Sequence, residues 1–296
     1  MKHYDRCPVC GSPDISLLFT VKDHMVTGEE FPVAGCIACQ ARFTQNVPDP
    51  ADIGRYYQSE RYISHTETRE GLVNRLYHTV RNHTLKAKRK AMRKALRGKA
   101  GAILDYGCGT GAFLGEMKND GWTITGIEPD ADARSIARER YGVQAMPPDQ
   151  LASLPSASMD IITLWHVLEH VYDLHETLAE LHRILRPGGH LFIAVPNYTS
   201  ADAVHYGVHW AAWDVPRHLY HFAPKTMKTL LGLAGFNLQG LRPMWFDSFY
   251  VSMLSEQYRH PEPNMVSAAW YGLRSNLTAM TSRDRCSSLV YHAIRP

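Results

Sequence analysis

The feature that most constrains this chain is Asp105-Tyr-Gly107-Cys-Gly109-Thr-Gly111, set between an apolar run from Ala102 and a helical pattern reaching about Asn119. An apolar run that ends in an acid and is followed at once by glycines reads as a buried strand, a sharp turn and a helix. Lacking Cβ atoms, the three glycines let a ligand lie against backbone. The N–H groups that open the helix then face that ligand.

The neighbouring residues narrow the ligand. Thr123 to Ile127 reads as a second strand ending in Glu128, 17 positions after Gly111. A carboxylate at that strand tip can accept from both vicinal hydroxyls of a ribose. Nicotinamide-dinucleotide enzymes share that acid, but they usually carry Gly-x-Gly-x-x-Gly and need no acid two residues before the first glycine. Here Asp105 occupies that place and can hold an ammonium group. A ligand with both an ammonium and a ribose is S-adenosylmethionine.

On these residues the chain, from about Ala102 to its C-terminus, resembles the class I S-adenosylmethionine-dependent methyltransferases. The resemblance implies a Rossmann-like α/β fold with a doubly wound, mostly parallel seven-stranded sheet. It also implies cofactor contacts from Asp105, Gly107, Cys108, Gly109, Gly111, Glu128 and Pro129, with Trp165 and His166 at the methionine end. The pattern of residues agrees with α/β alternation. Ala131 to Arg140 is helical, Val143 to Met146 a short third strand and Met159 to Leu164 a fourth. Leu174 to Leu185 is an amphipathic helix stopped by Arg186-Pro-Gly-Gly189, and His190 to Val195 is the fifth strand. Lys225 to Ala234 reads as a helix, the stretch from Phe236 as a sixth strand, and Ser287 to Ile294 as a closing, antiparallel one.

Residues 1–50 form a separate module. Cys7-Pro-Val-Cys10 and Cys36-Ile-Ala-Cys39 are two Cys-x-x-Cys pairs separated by 25 residues. Cys7, Cys10, Cys36 and Cys39 make a tetrahedral soft-ligand set suited to Zn²⁺, with no position left for water, so the expected metal is structural and the module a zinc ribbon. It has little core of its own and should depend on its metal to fold. Six cysteines, four of them in these two pairs, fit a reducing cytoplasm with a metal better than a secreted disulfide framework. The N-terminus reads as no signal peptide and no apolar run approaches a membrane span.

Residues 51–100 read as a connector: an aromatic stretch from Tyr56 to Tyr62, then a helix from Leu72 to about Leu96. That helix carries a basic run of Arg81, Lys86, Lys88, Arg89, Lys90, Arg93, Lys94, Arg97 and Lys99. A solvated helix face is the plainer reading, and an RNA or nucleotide footprint the sharper one. The net charge of +3 does not by itself imply a nucleic-acid partner.

The domain from 101 to 296 carries two insertions, 197–225 and 250–282, expected to form the acceptor side. The first holds His205, His209, Trp210, Trp213, Asp214, Arg217, His218, Tyr220 and His221. It reads as a lid or pocket with aromatic walls and a few ionisable groups. No carboxylate-rich ligand set accompanies its histidines, so a catalytic metal is not expected. Glu169 and His170 read as braces of the neighbouring helix. A hydroxyl or carbon acceptor needs a base, and His218, His221 and His166 are the candidates. Arg217 is expected to offer its charge to a substrate phosphate or carboxylate.

Within the family, a zinc-binding N-terminus resembles that of methyltransferases acting on nucleotide sugars and related intermediates. Some sugar C-methyltransferases have Glu-His followed by Tyr-Phe after the fifth strand. Pro216-Arg-His-Leu-Tyr-His-Phe222 keeps the histidine but has Arg217 in place of the acid. The expected activity is methyl transfer from S-adenosylmethionine to a small-molecule acceptor such as a sugar, nucleotide sugar or glycan intermediate. RNA methylation, using the zinc ribbon and basic helix, is the alternative.

Overall fold

The computed structural model describes residues 1–57 and 72–296, so Gln58 to Tyr62 of the aromatic stretch lie outside the described residues. The chain begins with the antiparallel strands β1 (Ile15–Lys22), β2 (Glu30–Cys36) and β3 (Arg42–Thr44). Helix α1 (Leu72–Ala95) leads into β4 (Ala102–Tyr106), α2 (Ala112–Asn119), β5 (Thr123–Ile127), α3 (Ala131–Tyr141) and β6 (Ala145–Met146). Next come β7 (Met159–Trp165), α4 (Leu174–Ile184), β8 (Leu185–Pro196), α5 (Ala201–Tyr206) and the short β9 (Tyr220–His221). The chain closes with α6 (Pro224–Leu233), β10 (Asn237–Pro243), α7 (Asp247–Arg259), α8 (Met265–Thr281) and β11 (Ser288–Ile294).

Seven strands form one sheet in the order β10-β11-β8-β7-β4-β5-β6. The five from β8 to β6 are parallel, and β11 and β10 are antiparallel at the far edge. This is the expected α/β class, including its antiparallel closing strand. Strand order reverses between β4 and β7, and ligands of open α/β sheets bind at such a switch point, outside the carboxyl ends of the strands. Helices cover the sheet, so the central strands read as unbroken apolar runs. Ile103, Leu104, Ile161, Ile162, Leu164, Ile193 and Val195 have no exposed surface, each contributing about 1.5–3 kcal/mol on burial.

One boundary differs from expectation. The Arg186-Pro-Gly-Gly189 stop lies inside β8 as an irregularity, because Met159 pairs with Leu185 whereas Ile161 pairs with His190. The looped-out residues are tied instead to the chain end: Gly188 N donates to Arg295 O, and Arg295 N donates to Gly189 O.

The N-terminal module is joined to the large domain by pairing. Strand β9 adds to the free edge of β3, with Arg42 opposite His221 and Phe43 opposite Tyr220, giving the sheet β1-β2-β3-β9. One core unites Tyr4, Cys7, Val9 and Phe43 with Leu168, Leu219, Tyr220 and Leu230. Another unites Val21, Phe31 and Val33 with Tyr206, Trp210 and Trp213. The module therefore borrows the core it is too small to build. Trp210 and Trp213 are buried in that shared core, donating to Asp202 Oδ2 and Gly207 O, and as expected they also wall a small cavity, together with His24, Arg217 and Tyr258. Among the described residues, no helix is long and apolar enough to cross a membrane.

Candidate functional site

The turn after β4 distributes its three glycines between two jobs. A Cβ on Gly107 would lie 2.3 Å from Val167 Cγ2, and one on Gly111 2.8 Å from Ala137 Cβ. These two positions are small because protein packs against them. Gly109, at φ 52, would place a Cβ in open space, so it alone leaves backbone facing the crevice. Its N–H donates to Glu128 Oε2 at 2.7 Å, and Asp130 N donates to Oε1 at 3.0 Å. Each Glu128 oxygen keeps a further lone pair for a ligand hydroxyl. Burial raises the pKa of Glu128, against these backbone donors.

Asp105 is buried at the end of β4 and accepts from Thr163 Oγ1 at 2.6 Å. Burial pushes it up to about 7, while Thr163 and the charge of Lys88 pull it down. A ligand ammonium arriving there would favour its ionised form. Lys88 was not singled out from the basic run, yet its Nζ lies 3.9 Å from the centroid of the Trp165 ring. Burial draws it down to about 8, opposed by Asp105 and Asp247. The signal was available: Lys88 follows Leu85 by three positions and precedes Met92 by four, so it falls on the apolar stripe of α1. Trp165 Nε1 is buried without a partner, a donor open to a ligand. Lone pairs, a buried acid, a cation and an open backbone stretch together suit a zwitterionic nucleoside. Pro129 lies directly after Glu128, and its carbonyl accepts from Arg134 Nη1. Cys108 is buried beside it all, its thiol pushed up by burial and by Asp105 and Glu128.

His166 sits between two acids. Its Nε2 is 2.9 Å from Asp247 Oδ2 and its Nδ1 3.5 Å from Glu169 Oε1. Burial alone would lower its pKa, but these carboxylates outweigh burial and raise it to about 10. It is an imidazolium at neutral pH and has no lone pair with which to act as a base. His221 lies in β9 with Nε2 3.2 Å from Thr44 Oγ1. Burial and the charges of His218 and Arg42 hold it well below the usual range.

His218 is 8% exposed, and its Nδ1 lies 2.9 Å from Ala212 O. A carbonyl only accepts, so Nδ1 carries the proton and Nε2 of the neutral ring keeps its lone pair. That Nε2 is 3.8 Å from Asp214 Oδ2. His170 is arranged alike, with Nδ1 3.0 Å from Arg217 O and 3.2 Å from the Tyr57 hydroxyl. Burial and the charge of His218 hold it down at about 4. The two rings meet edge to face with centroids 4.7 Å apart. Glu169, on the short turn after β7, completes the group and has no exposed surface. As braces, Glu169 O accepts from Leu219 N and His170 reaches Arg217 O, so both residues tie β7 to the 197–225 insertion.

Arg217 is held by partners within the protein. Its side chain is 1% exposed and donates to Asp23 Oδ1, Asp214 Oδ1 and Tyr56 O. It closes the seam between the insertion and the N-terminal module. In that module, Cys7 Sγ lies 3.6 Å from Cys39 Sγ, and Cys10 Sγ 3.6 Å from Cys36 Sγ. All four sulfurs fall within 4.8 Å of one another. A tetrahedron with Zn–S bonds of about 2.3 Å has edges of about 3.8 Å, so the four cysteines fit a small zinc ribbon.

Comparison with known proteins agrees with this geometry. A family model described as a methyltransferase domain matches residues 77–240, more than half of the chain. Ubiquinone biosynthesis O-methyltransferase of Nitrosococcus oceani is 28% identical over 185 residues, covering 58% of this chain and 76% of that protein. Malonyl-(acyl-carrier protein) O-methyltransferase of Serratia marcescens is 32% identical over 126 residues, covering 42% and 49%. The chain thus spans about half the length of the second relative. Among solved structures, the cyclase SpnF superposes with a TM-score of 0.50 at 18% identity, over 71% of this chain and 80% of that one. Geranyl diphosphate C-methyltransferase from Streptomyces coelicolor does so at 0.50 and 14%, over 77% and 88%. These two likenesses show the shared fold. With the sheet order, the glycine turn and its two acids in place, this chain belongs to the methyltransferase-domain family.

Proposed function

We propose that the protein moves the methyl group of S-adenosylmethionine to a hydroxyl of a small molecule. The observation that carries this reading is the crevice at the β4/β7 switch point, where Asp105, the open backbone at Gly109 and Glu128 converge. Bound there, the cofactor supplies an electrophilic methyl on a sulfonium. Asp105 takes its ammonium group and Glu128 its ribose hydroxyls. Lys88 meets its carboxylate, and the residues around Trp165 hold the methionine end. The curated relatives described above are O-methyltransferases, which supports an oxygen acceptor.

An oxygen acceptor must lose a proton as it attacks, and the attack must be in line with the departing sulfur. We assign the promotion of that deprotonation to His218, whose Nε2 lone pair remains open, whereas His166 is already protonated and His221 is occupied at the seam. The four cysteines hold a structural Zn²⁺ that fixes the N-terminal sheet against β9. A sugar or nucleotide sugar leads the acceptor candidates, on the resemblance of the zinc-bearing module. The RNA reading loses support because Arg93 pairs with Asp120, Arg89 with Glu116 and Asp120, and Lys88 turns inward. The test is incubation with methyl-labelled cofactor and a panel of nucleotide sugars, other hydroxylated metabolites and RNA. Label on a small-molecule oxygen supports the reading, and label on RNA alone would replace it.

A further inference from the structure

Two buried carboxylates among the described residues, Asp202 and Asp23, are well supplied with donors. Asp202, fully buried, accepts from Trp210 Nε1, Ser275 Oγ and Ser287 Oγ at 2.6–2.8 Å. Asp23 accepts from the N–H groups of Met25, Val26 and Thr27, from Thr27 Oγ1 and from Arg217. Glu169 differs from both: it has no exposed surface and neither carboxylate oxygen has a hydrogen-bond partner among the described residues. His166 Nδ1 offers compensating charge, but at 3.5 Å it is too far for a normal hydrogen bond. Among the described residues, Oε1 thus has only this ion pair and Oε2 no partner at all, so the carboxylate is open to a ligand from outside the protein.

What faces Glu169 identifies the partner. One of its oxygens and one ring nitrogen each of His170 and His218 all lie within 4.8 Å of one another. Both imidazoles are fixed from behind, by Nδ1–H donation to the carbonyls of Arg217 and Ala212. Such carbonyl partners are the usual support of metal-ligating histidines, because they set the tautomer and leave Nε2 as a lone pair. Both rings have thus been prepared as ligands, and a carboxylate oxygen lies within 4.8 Å of a nitrogen of each.

We infer that Glu169, His170 and His218 bind a divalent first-row transition cation such as zinc, at a site distinct from the four cysteines. Two imidazole nitrogens and one carboxylate oxygen suit zinc or iron, whereas magnesium prefers an all-oxygen set. Three protein ligands leave a fourth position open. Its use rests on the proposed methyl transfer. An acceptor hydroxyl taking that position would bind as its oxyanion, the proton passing to water. The oxyanion lone pair would then form the new O–C bond while the C–S pair leaves on the sulfur. His218 then promotes deprotonation as a ligand rather than by taking the proton itself. The sequence argued against such a site because its carboxylate comes from the turn after β7, far in sequence from the insertion histidines.

The experiment uses the full chain, stripped of metal and loaded with cobalt(II), with metal per chain measured by mass spectrometry and absorption recorded alongside. Sulfur ligation gives an intense charge-transfer band, which the nitrogen–oxygen site lacks. The expected result is two ions per chain in the wild type and one in both Glu169→Gln and His218→Ala. The charge-transfer band of the cysteine site should be unchanged in both, which also reports that the variants have folded. One ion per chain in the wild type, or two retained in both variants, overturns the inference. Titrating S-adenosylhomocysteine into the same samples reports separately on the methyltransferase reading, so failure of either is seen without the other.

Discussion

The cofactor turn and the histidine cluster lie at the same end of the sheet but are built in opposite ways. In the turn, the defining contacts are short in sequence: Gly109 N reaches Glu128 across 19 residues and Asp130 N reaches it across two. In the cluster, His166 meets Asp247 across 81 residues, and Arg217 meets Asp23 across 194. A site assembled from local contacts is written in spacing. One assembled by packing together β7, the 197–225 insertion, α7 and the N-terminal sheet is not.

The largest effect should come from the cluster. His218→Ala is expected to lower turnover by about 10²–10⁴-fold while leaving cofactor affinity nearly unchanged, measured by steady-state kinetics on the true acceptor beside calorimetry. A parallel fall in cofactor affinity would mean that the two regions are not separable.

The seam comes next. Arg217→Met removes the cation shared by the buried Asp23 and the part-buried Asp214 and should cost about 3–5 kcal/mol in urea denaturation. A loss typical of a surface substitution would show that the N-terminal module is held by its shared cores alone.

What the sequence disclosed follows the same division. The strands β4, β5 and β7 and the helix α2 were legible because apolar runs and the glycine turn fix them locally. The four cysteines were legible because each pair is a tight turn with its own spacing. The partner of Arg217 was not legible because nothing near it in sequence announces Asp23, and the burial of Trp210 and Trp213 was not because the core they share belongs half to another module. Lys88 was hidden within a run of like charges, although its place on the apolar stripe set it apart.

A smaller effect is expected in the turn. Glu128→Ala removes the ribose acceptor and should weaken cofactor binding by about 1–3 kcal/mol in calorimetry. The smallest is a pH effect at His166, whose folded pKa of about 10 exceeds the unfolded value near ~6.5. Its protonation therefore stabilises the fold fully below about 6.5, and that contribution is lost as pH rises through about 10. Asp247→Asn should be less stable than the wild type at pH 6, and the gap should narrow as pH is raised across that window. A gap that stays constant would mean that Asp247 acts through packing rather than charge.

The central claim is that a nucleoside cofactor lies against the backbone at Gly109. The most direct measurement is calorimetric titration of S-adenosylhomocysteine into the full chain and into Gly109→Ala, whose added Cβ meets no protein atom within 4 Å. One site per chain in the wild type, weakened by about tenfold or more in the variant, is the predicted result. Wild-type protein that takes up no S-adenosylhomocysteine, or a variant that binds it equally well, would contradict the account.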